Sequence, residues 1–395
     1  VTTLTAERSV RPVAQPLRLS ERVVADPPVV LAPMAGITNT AFRRLCREAM
    51  APALDADAAG GLFVSEMITT RGLVERNPKT LRLIRFAADE QPRSIQLYGV
   101  DPAVVAAAVH LIVSEDLADH VDLNFGCPVP KVTRKGGGSA LPWRTELFSD
   151  IVTGAVRAAA GRIPVTVKMR VGIDDDHLTF REAGLRAQDA GVAHVALHAR
   201  TAAQFYGGAA NWELIAELAA LLDIPVLGNG DIWEAVDAIR MQRETGCAGV
   251  VIGRGCLGRP WLFADLAAAY AGRPERVLPP LAEVAATMRR HAELLGEWLG
   301  DTERGVIDFR KHVAWYLKGF AVGGDLRLAM ASASSLDELD DLLAQLDDQP
   351  FPLHALGRPR GRTTGARAVA LPDRWLTDRA SRAVPAGAER DDSGG

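Results

Sequence analysis

The sequence predicts an α/β fold, a closed (β/α)8 barrel of the TIM type followed by a small C-terminal helical domain. Two observations carry that expectation. From Val29 onward, short apolar or β-branched runs alternate with amphipathic stretches, and eight such pairs fit within residues 27–274. That count and span match a closed parallel barrel better than an open doubly wound sheet. The apolar runs also end on polar or glycine residues, at the rim where barrel enzymes gather their chemistry.

Taken in order, the candidate strands lie at 29–31, 62–64, 94–97, 121–123, 165–168, 194–197, 225–227 and 249–252. Helix-like stretches lie between them at 38–49, 69–75, 102–114, 144–160, 178–190, 212–222, 232–244 and 261–270, each with helical spacing of its apolar residues. Residues 1–26 are polar with scattered prolines and read as a flexible N-terminal arm. After the barrel, 281–300, 302–320 and 335–346 read as amphipathic helices of a domain at 275–347. The last of these opens on Ser335 and Glu338 at capping-box spacing. From 348 to 395 the chain reads as a disordered tail, in which GRPRGRTTGARAV gives way to a polar, acidic end.

Composition narrows the function classes. An apolar content of 48% over 395 residues supports a sizeable core. No apolar run approaches ~18 residues, and the first residues lack the basic-then-apolar order of a secretory signal. The expectation is a soluble cytoplasmic protein with no membrane partner. Cys46, Cys127, Cys247 and Cys256 are scattered without metal-type pairing, so reduced thiols are expected, with no disulfide framework and no metal site. A net charge of −4 and a pI near 6.1 exclude a generally basic nucleic-acid coat. Any nucleic-acid contact must come from local patches.

The stretch 121–142, VDLNFGCPVPKVTRKGGGSALP, has the layout of an active site. A strand ends at Asn124, Gly126 lets the backbone turn, and Pro128 stiffens the chain after Cys127, which holds one sulfur at the strand end. On its own, Cys127 reads equally well as a buried small hydrophobe. The other strand ends tip the balance. They read Pro33-Met34-Ala35-Gly36, Glu66, Gln96, Lys168 with Arg170, His198 with Arg200, Asn229-Gly230-Asp231 and Gly253-Arg254-Gly255.

Gly253 to Gly258 spells G-x-G-x-x-G, but the proline-broken AGRPERVLPPLAEV that follows Tyr270 offers no further strand, so a dinucleotide fold is rejected. What remains is the physics of backbone N–H groups meeting a phosphate at a helix start. The glycines after the seventh and eighth strands sit where barrels bind phosphate, and Arg254 adds a charged fork. The alternative is that Gly228 and Gly230 serve only tight turns. Lys168, on the buried run PVTVKMRVG, could stabilise negative charge on a reduced flavin ring, and Gln96 and Asn124 offer amide contacts to ring or base edges.

Together these residues resemble the tRNA-dihydrouridine synthase family, in its bacterial B-type branch. The resemblance is carried, in the family's order, by APMAGITNTAFR at 32–43, VSEM at 64–67, SIQLYG at 94–99 and DLNFGCPVPKVTRKGGGSALP at 122–142. It continues with VKMRVG at 167–172, HARTAAQFYGGAANW at 198–212, GNGDI at 228–232 and IGRGCLGRPW at 252–261, and more weakly with RKHVAWYLKG at 310–319. Ala199 stands where the family more often has glycine.

The resemblance implies FMN as cofactor, NADPH or NADH as electron donor, and a uridine in the D-loop of tRNA as substrate. It implies that Pro33, Met34 and Ala35 line the flavin and that Gln96 meets its pyrimidine end. Lys168 and His198 would hold the ring and ribityl chain, Asn229, Gly230, Asp231, Gly253 and Arg254 the ribityl and phosphate, and Cys127 would be the general acid. Asn124 and Arg170 are candidates to orient the uracil carbonyls.

Over 304–327, Arg304, Arg310, Lys311, Lys318 and Arg327 outnumber Asp308 and Asp325, with Trp315 and Tyr316 among them. Such a face suits tRNA phosphates and a splayed base, or else is a solvated face over a core containing both aromatics. Lys131, Arg134 and Lys135 form a second candidate tRNA contact, on a loop whose three glycines would let it close over a nucleotide. Two other functions stay open at this point: a dihydroorotate- or dihydropyrimidine-type flavin dehydrogenase acting on a free pyrimidine, and an RNA-binding flavoprotein without catalysis.

Overall fold

The structure, a computed structural model, describes residues 15–388. A short hairpin of β1 (Leu17–Arg18) and β2 (Val24–Ala25) precedes eight strands: β3 (Val29–Leu31), β4 (Leu62–Thr69), β5 (Ser94–Tyr98), β6 (His120–Phe125), β7 (Val165–Arg170), β8 (Val195–His198), β9 (Val226–Asn229) and β10 (Gly249–Ile252). Strands β3 to β10 run parallel in sequence order, and β10 pairs back onto β3 through Val250 and Val29, which closes the barrel. The predicted (β/α)8 barrel is therefore the observed fold.

The two-residue period of each strand divides the barrel into an outer and an inner side. Outward residues such as Ile95, Leu97, Val121, Leu123, Val167 and Leu197 pack under the surrounding helices. The inner side is split. Val30, Leu62, Val64, Ala196, Leu227 and Val251 form an apolar half. Opposite them, β5, β6 and β7 turn Ser94, Gln96, His120, Asp122 and Thr166 into a hydrogen-bonded polar half.

Two terminal expectations change. Residues 15–26 are not a flexible arm: Leu17, Val23 and Ala25 join the inner apolar cluster, so the hairpin plugs the barrel at the N-terminal end of β3. Residues 1–14 of that arm lie outside the described residues. Of the tail expected to be disordered over 348–395, the segment from 350 to 388 is ordered, and residues 389–395 lie outside the described residues. The ordered segment starts at Phe351, buried in the helical domain, and carries Trp375 into the barrel's own core. A polar composition misleads here because its few apolar side chains land in sites the folded barrel has already built.

The helical domain comprises Leu281–Leu299, Thr302–Phe309, Val313–Tyr316, Gly324–Met330 and Leu336–Leu343. A 3-10 turn at Arg310–His312 breaks the helix expected over 302–320, and Gly324–Met330 was not expected. Its core of Val284, Met288, Phe309, Tyr316 and Leu339 is continuous with Ala41, Leu45 and Trp261 of the barrel, so the two units share one apolar interface. Ser335 caps the last helix by accepting from Glu338 N–H at 3.2 Å, but the Glu338 carboxylate reaches back to Ser334 N–H, one residue beyond a capping box. Among the described residues no helix is long and apolar enough to cross a membrane.

Candidate active site at the barrel mouth

A cavity of about 530 Å³ opens at the C-terminal ends of the strands, within the range of small-molecule sites. Every strand end contributes to it, and so do Lys311 and Trp315 of the helical domain and Arg362 of the C-terminal segment. All eleven residues expected at the cofactor line it: Pro33, Met34, Ala35, Gln96, Lys168, His198, Asn229, Gly230, Asp231, Gly253 and Arg254. Cys127, Asn124, Arg170 and Lys311 line it as well.

Cys127 is the half-buried thiol, while Cys46, Cys247 and Cys256 are buried. Its position follows from the end of β6. Asn124 Oδ1 accepts from the backbone N–H of Gly126 at 3.1 Å and of Cys127 at 2.9 Å, folding the chain back over the strand. Downstream, Ser139 donates to the Cys127 carbonyl from its N–H at 3.1 Å and its hydroxyl at 3.0 Å. Gly138, at φ +55, leaves no room for a side chain, because a Cβ would lie 2.4 Å from that carbonyl. Burial pushes the thiol pKa up, against the Val129 N–H and the charge of Arg170. At neutral pH the sulfur is therefore protonated.

Arg170 is a buttress of this turn. Its Nε donates to the Gly126 carbonyl at 3.0 Å, and its Nη1 donates to Thr201 at 2.8 Å and Phe205 at 2.9 Å. Burial lowers its pKa to about 10, which leaves it charged at neutral pH.

Two residues before Arg170 on β7, Lys168 Nζ donates to Asn229 Oδ1 at 2.9 Å, and Asn229 donates to the Val251 carbonyl at 2.7 Å. Burial, with Arg170 nearby, brings the Lys168 pKa down to about 8. His198 is held neutral, well below its usual range, by burial and by Arg170, Lys168, Arg200 and Arg254 around it. Asp231 holds Arg200 through both carboxylate oxygens at 2.8 Å and lies 3.6 Å from Arg254. As a carboxylate it orients these cations and does not itself attract an anion.

The lining therefore carries Lys168, Arg170, Arg200, Arg254, Lys311 and Arg362 against a single lining carboxylate, Asp231. Arg200 Nη1 is buried without a hydrogen-bond partner. Lys311 and Arg362 are exposed, and Lys311 pairs with Asp308 at 2.8 Å, so the excess that matters is the buried Arg170 and Arg200 with the partly buried Lys168 and Arg254, which with an unsatisfied donor favours an anion.

Four expected substrate residues stand elsewhere. Arg310 donates to the Ala333 carbonyl at 2.7 Å inside the helical domain. Lys131 and Lys135 line a separate small pocket with Tyr98, Val100 and Ala388, and Arg134 is exposed. Their loop is not a free lid. Its glycines are buried, and a Cβ on Gly136 would lie 2.5 Å from the Trp375 ring. The adjacent aromatics Trp315 and Tyr316 divide, with Trp315 on the cavity and Tyr316 in the core, its hydroxyl 3.1 Å from His291 Nδ1.

Sequence reasoning missed Tyr206 and Trp233, whose rings lie 5.0 and 5.1 Å from the Arg254 guanidinium. Both sit in loops beside motif residues, which was the available signal. Arg362 had none, since only the path of the C-terminal segment brings it to the mouth. Among the described residues no group of three or more His, Cys, Asp or Glu could hold a metal ion.

A family model described as "Dihydrouridine synthase (Dus)" matches residues 30–351, which stops short of the segment crossing the mouth. The chain is 54% identical over 398 residues to the "Probable tRNA-dihydrouridine synthase" of Mycobacterium tuberculosis (strain CDC 1551 / Oshkosh), covering 99% of this chain and 100% of that protein. It is 55% identical over 386 residues to the "Probable tRNA-dihydrouridine synthase" of Mycobacterium leprae (strain TN), covering 93% and 100%. It is 39% identical over 313 residues to "tRNA-dihydrouridine synthase B" of Xanthomonas axonopodis pv. citri, covering 79% and 90%. With eight strand ends converging on one thiol and one cation-rich wall, and with relatives of this identity along nearly its whole length, the chain belongs to the dihydrouridine synthase family.

Proposed function

We propose that this chain is an FMN-dependent tRNA-dihydrouridine synthase. It reduces the 5,6 double bond of a uridine in the D-loop of tRNA, with NADPH or NADH as electron donor and Cys127 as proton donor. The observation that carries this reading is that the Cys127 thiol and the anion-receiving wall line one cavity.

The residues present fit FMN. The unpartnered Arg200 Nη1, with Arg254 and the glycine backbone at Gly230 and Gly253, suits a phosphate. Pro33, Met34 and Ala35 supply an apolar wall for a flat ring, and Lys168 with His198 and Asn229 face it with donors. When bound, FMN supplies the hydride for C6 of the uracil.

The chain's own residues do the rest. Cys127, kept protonated by burial, donates its proton to C5 and is reprotonated from solvent. Asn124 fixes the turn that carries the thiol, and Arg170 braces the same turn from β7. Trp315 and Lys311 extend the mouth toward the helical domain, which suits a splayed base and its phosphate. A free pyrimidine would need no such extension. Lys131, Arg134 and Lys135 flank the turn outside the cavity, where an RNA backbone would approach, and tRNA as substrate sets the work in the cytoplasm.

The test is Cys127→Ala in the full chain. It is expected to keep bound flavin and nicotinamide oxidation while losing most dihydrouridine formation, read by mass spectrometry of tRNA. Unchanged tRNA turnover would remove the proton-donor role.

A further inference from the structure

The C-terminal segment runs around the mouth as a strap. Gly357 N–H donates to Glu234 at 3.0 Å, and Arg360 Nη1 donates to the carbonyls of Leu257 and Trp315 at 3.2 and 2.9 Å. The Arg362 carbonyl accepts from Arg254 at 2.6 Å, and Arg367 N–H donates to Ala203 at 2.9 Å. The strap then reaches the loop that follows Cys127.

Trp375 is buried there. Its indole N–H donates to the Ala140 carbonyl at 2.9 Å, and its ring fills the space over Gly136, which sits at φ +78. Arg144 lies 4.7 Å from the ring centroid and donates to the Arg374 carbonyl at 3.1 Å. Past the indole, the Arg379 carbonyl accepts from Thr145 N–H at 2.8 Å. The stretch clamped in this way, 136–140, is the one whose Ser139 donates to the Cys127 carbonyl and whose Gly138 lets the chain pass close to it.

Three consecutive glycines carry more backbone freedom than any other tripeptide, so their own sequence cannot fix this turn. Something outside it has to. We infer that Trp375 is a positioning residue for Cys127: the strap's indole freezes the Gly136–Ser139 turn, and that turn aims the thiol into the cavity. The inference rests on the reading of Cys127 as proton donor, and its residue lies beyond the stretch shared with the family model.

The experiment compares full-length wild type, Trp375→Ala and Trp375→Phe. Iodoacetamide labelling is mapped by peptide mass spectrometry, with the buried Cys46, Cys247 and Cys256 as internal reporters of global opening. In W375A, Cys127 is expected to label roughly tenfold faster through local opening while the other three stay protected. Uridine reduction by W375A should show kcat lowered roughly tenfold with KM for tRNA little changed, the pattern of a misplaced reacting group. Flavin content should hold, and W375F should restore most of both readouts by restoring the ring. Equal labelling and equal kcat in W375A and wild type would overturn the inference. So would simultaneous labelling of all four cysteines, which would make Trp375 a general stability residue. Failure of the proton-donor reading shows separately: C127A would then turn over tRNA normally, while faster labelling of Cys127 in W375A would still stand.

Discussion

The Gln96 side-chain amide donates to the Asp122 carboxylate at 2.7 Å, deep inside the barrel, and its oxygen accepts from Asn124 at 2.7 Å. A carboxylate can only accept, so Asp122 dictates which way the Gln96 amide faces, and Gln96 in turn dictates Asn124. The orientation of two mouth residues is thus set from below. Asp122 is itself held by the Thr166 hydroxyl at 2.7 Å, which lies 2.9 Å from His120 Nε2, and His120 Nδ1 lies 2.7 Å from Ser94.

Burial raises the Asp122 pKa to about 6, and its hydrogen bonds only partly oppose the shift. The folded state then binds a proton that the unfolded chain, titrating near ~3.9, has already lost. The contribution is fully present below the unfolded value and is lost as pH rises through about 6. Denaturant titrations at pH 5 and pH 7 should show the upper part of this loss in wild type, about 1 kcal/mol. Asp122→Asn should flatten that limb and loosen Gln96. An unchanged pH slope in the variant would refute the assignment.

Lys168, with its pKa lowered to about 8, carries a charge that weakens just above neutral pH. Flavin affinity of the apoprotein should fall as pH rises past about 8, delayed because a bound anion favours the protonated amine. Lys168→Met should bind flavin roughly 10–100-fold more weakly, the worth of one charged hydrogen bond, and should lose this pH dependence. Fluorescence titration across pH measures both.

Asp231 is the one carboxylate among the cations of the lining. Asp231→Asn should destabilise the apoprotein by about 1–3 kcal/mol, because Arg200 loses its charged partner. Inorganic phosphate should raise the melting temperature of the variant more than that of wild type, by occupying the same field. Equal phosphate shifts in the two proteins would argue against a shared anion site.

The raised pKa of Cys127 has a signature in rate. A proton donor works only while protonated, so uridine reduction should stay level from neutral pH through the ordinary thiol range and fall beyond it as the donor form is lost. A profile already falling near pH 7 would mean a thiolate at rest, contrary to the burial around this sulfur.

The barrel could be read from the chain because strand period and helix period are local properties. Once eight strand-helix pairs are set in order, closure and inner-facing positions follow, and so does the convergence of Gln96, Asn124, Lys168, His198 and Asn229 on one rim. What the amino-acid order could not contain is distance across the fold. Trp375 and Gly136 are far apart along the chain and meet only because the strap travels around the mouth, so a polar, arginine-rich tail looked disordered. The same holds for the positions of Lys131, on a separate pocket, and Arg310, bonded inside the helical domain, which charge alone did not separate from the cavity lining. Periodicity writes the scaffold into neighbouring residues. The company a side chain keeps, and with it the pKa of Asp122 and the stillness of a glycine turn, arises from long-range packing, which no local pattern encodes.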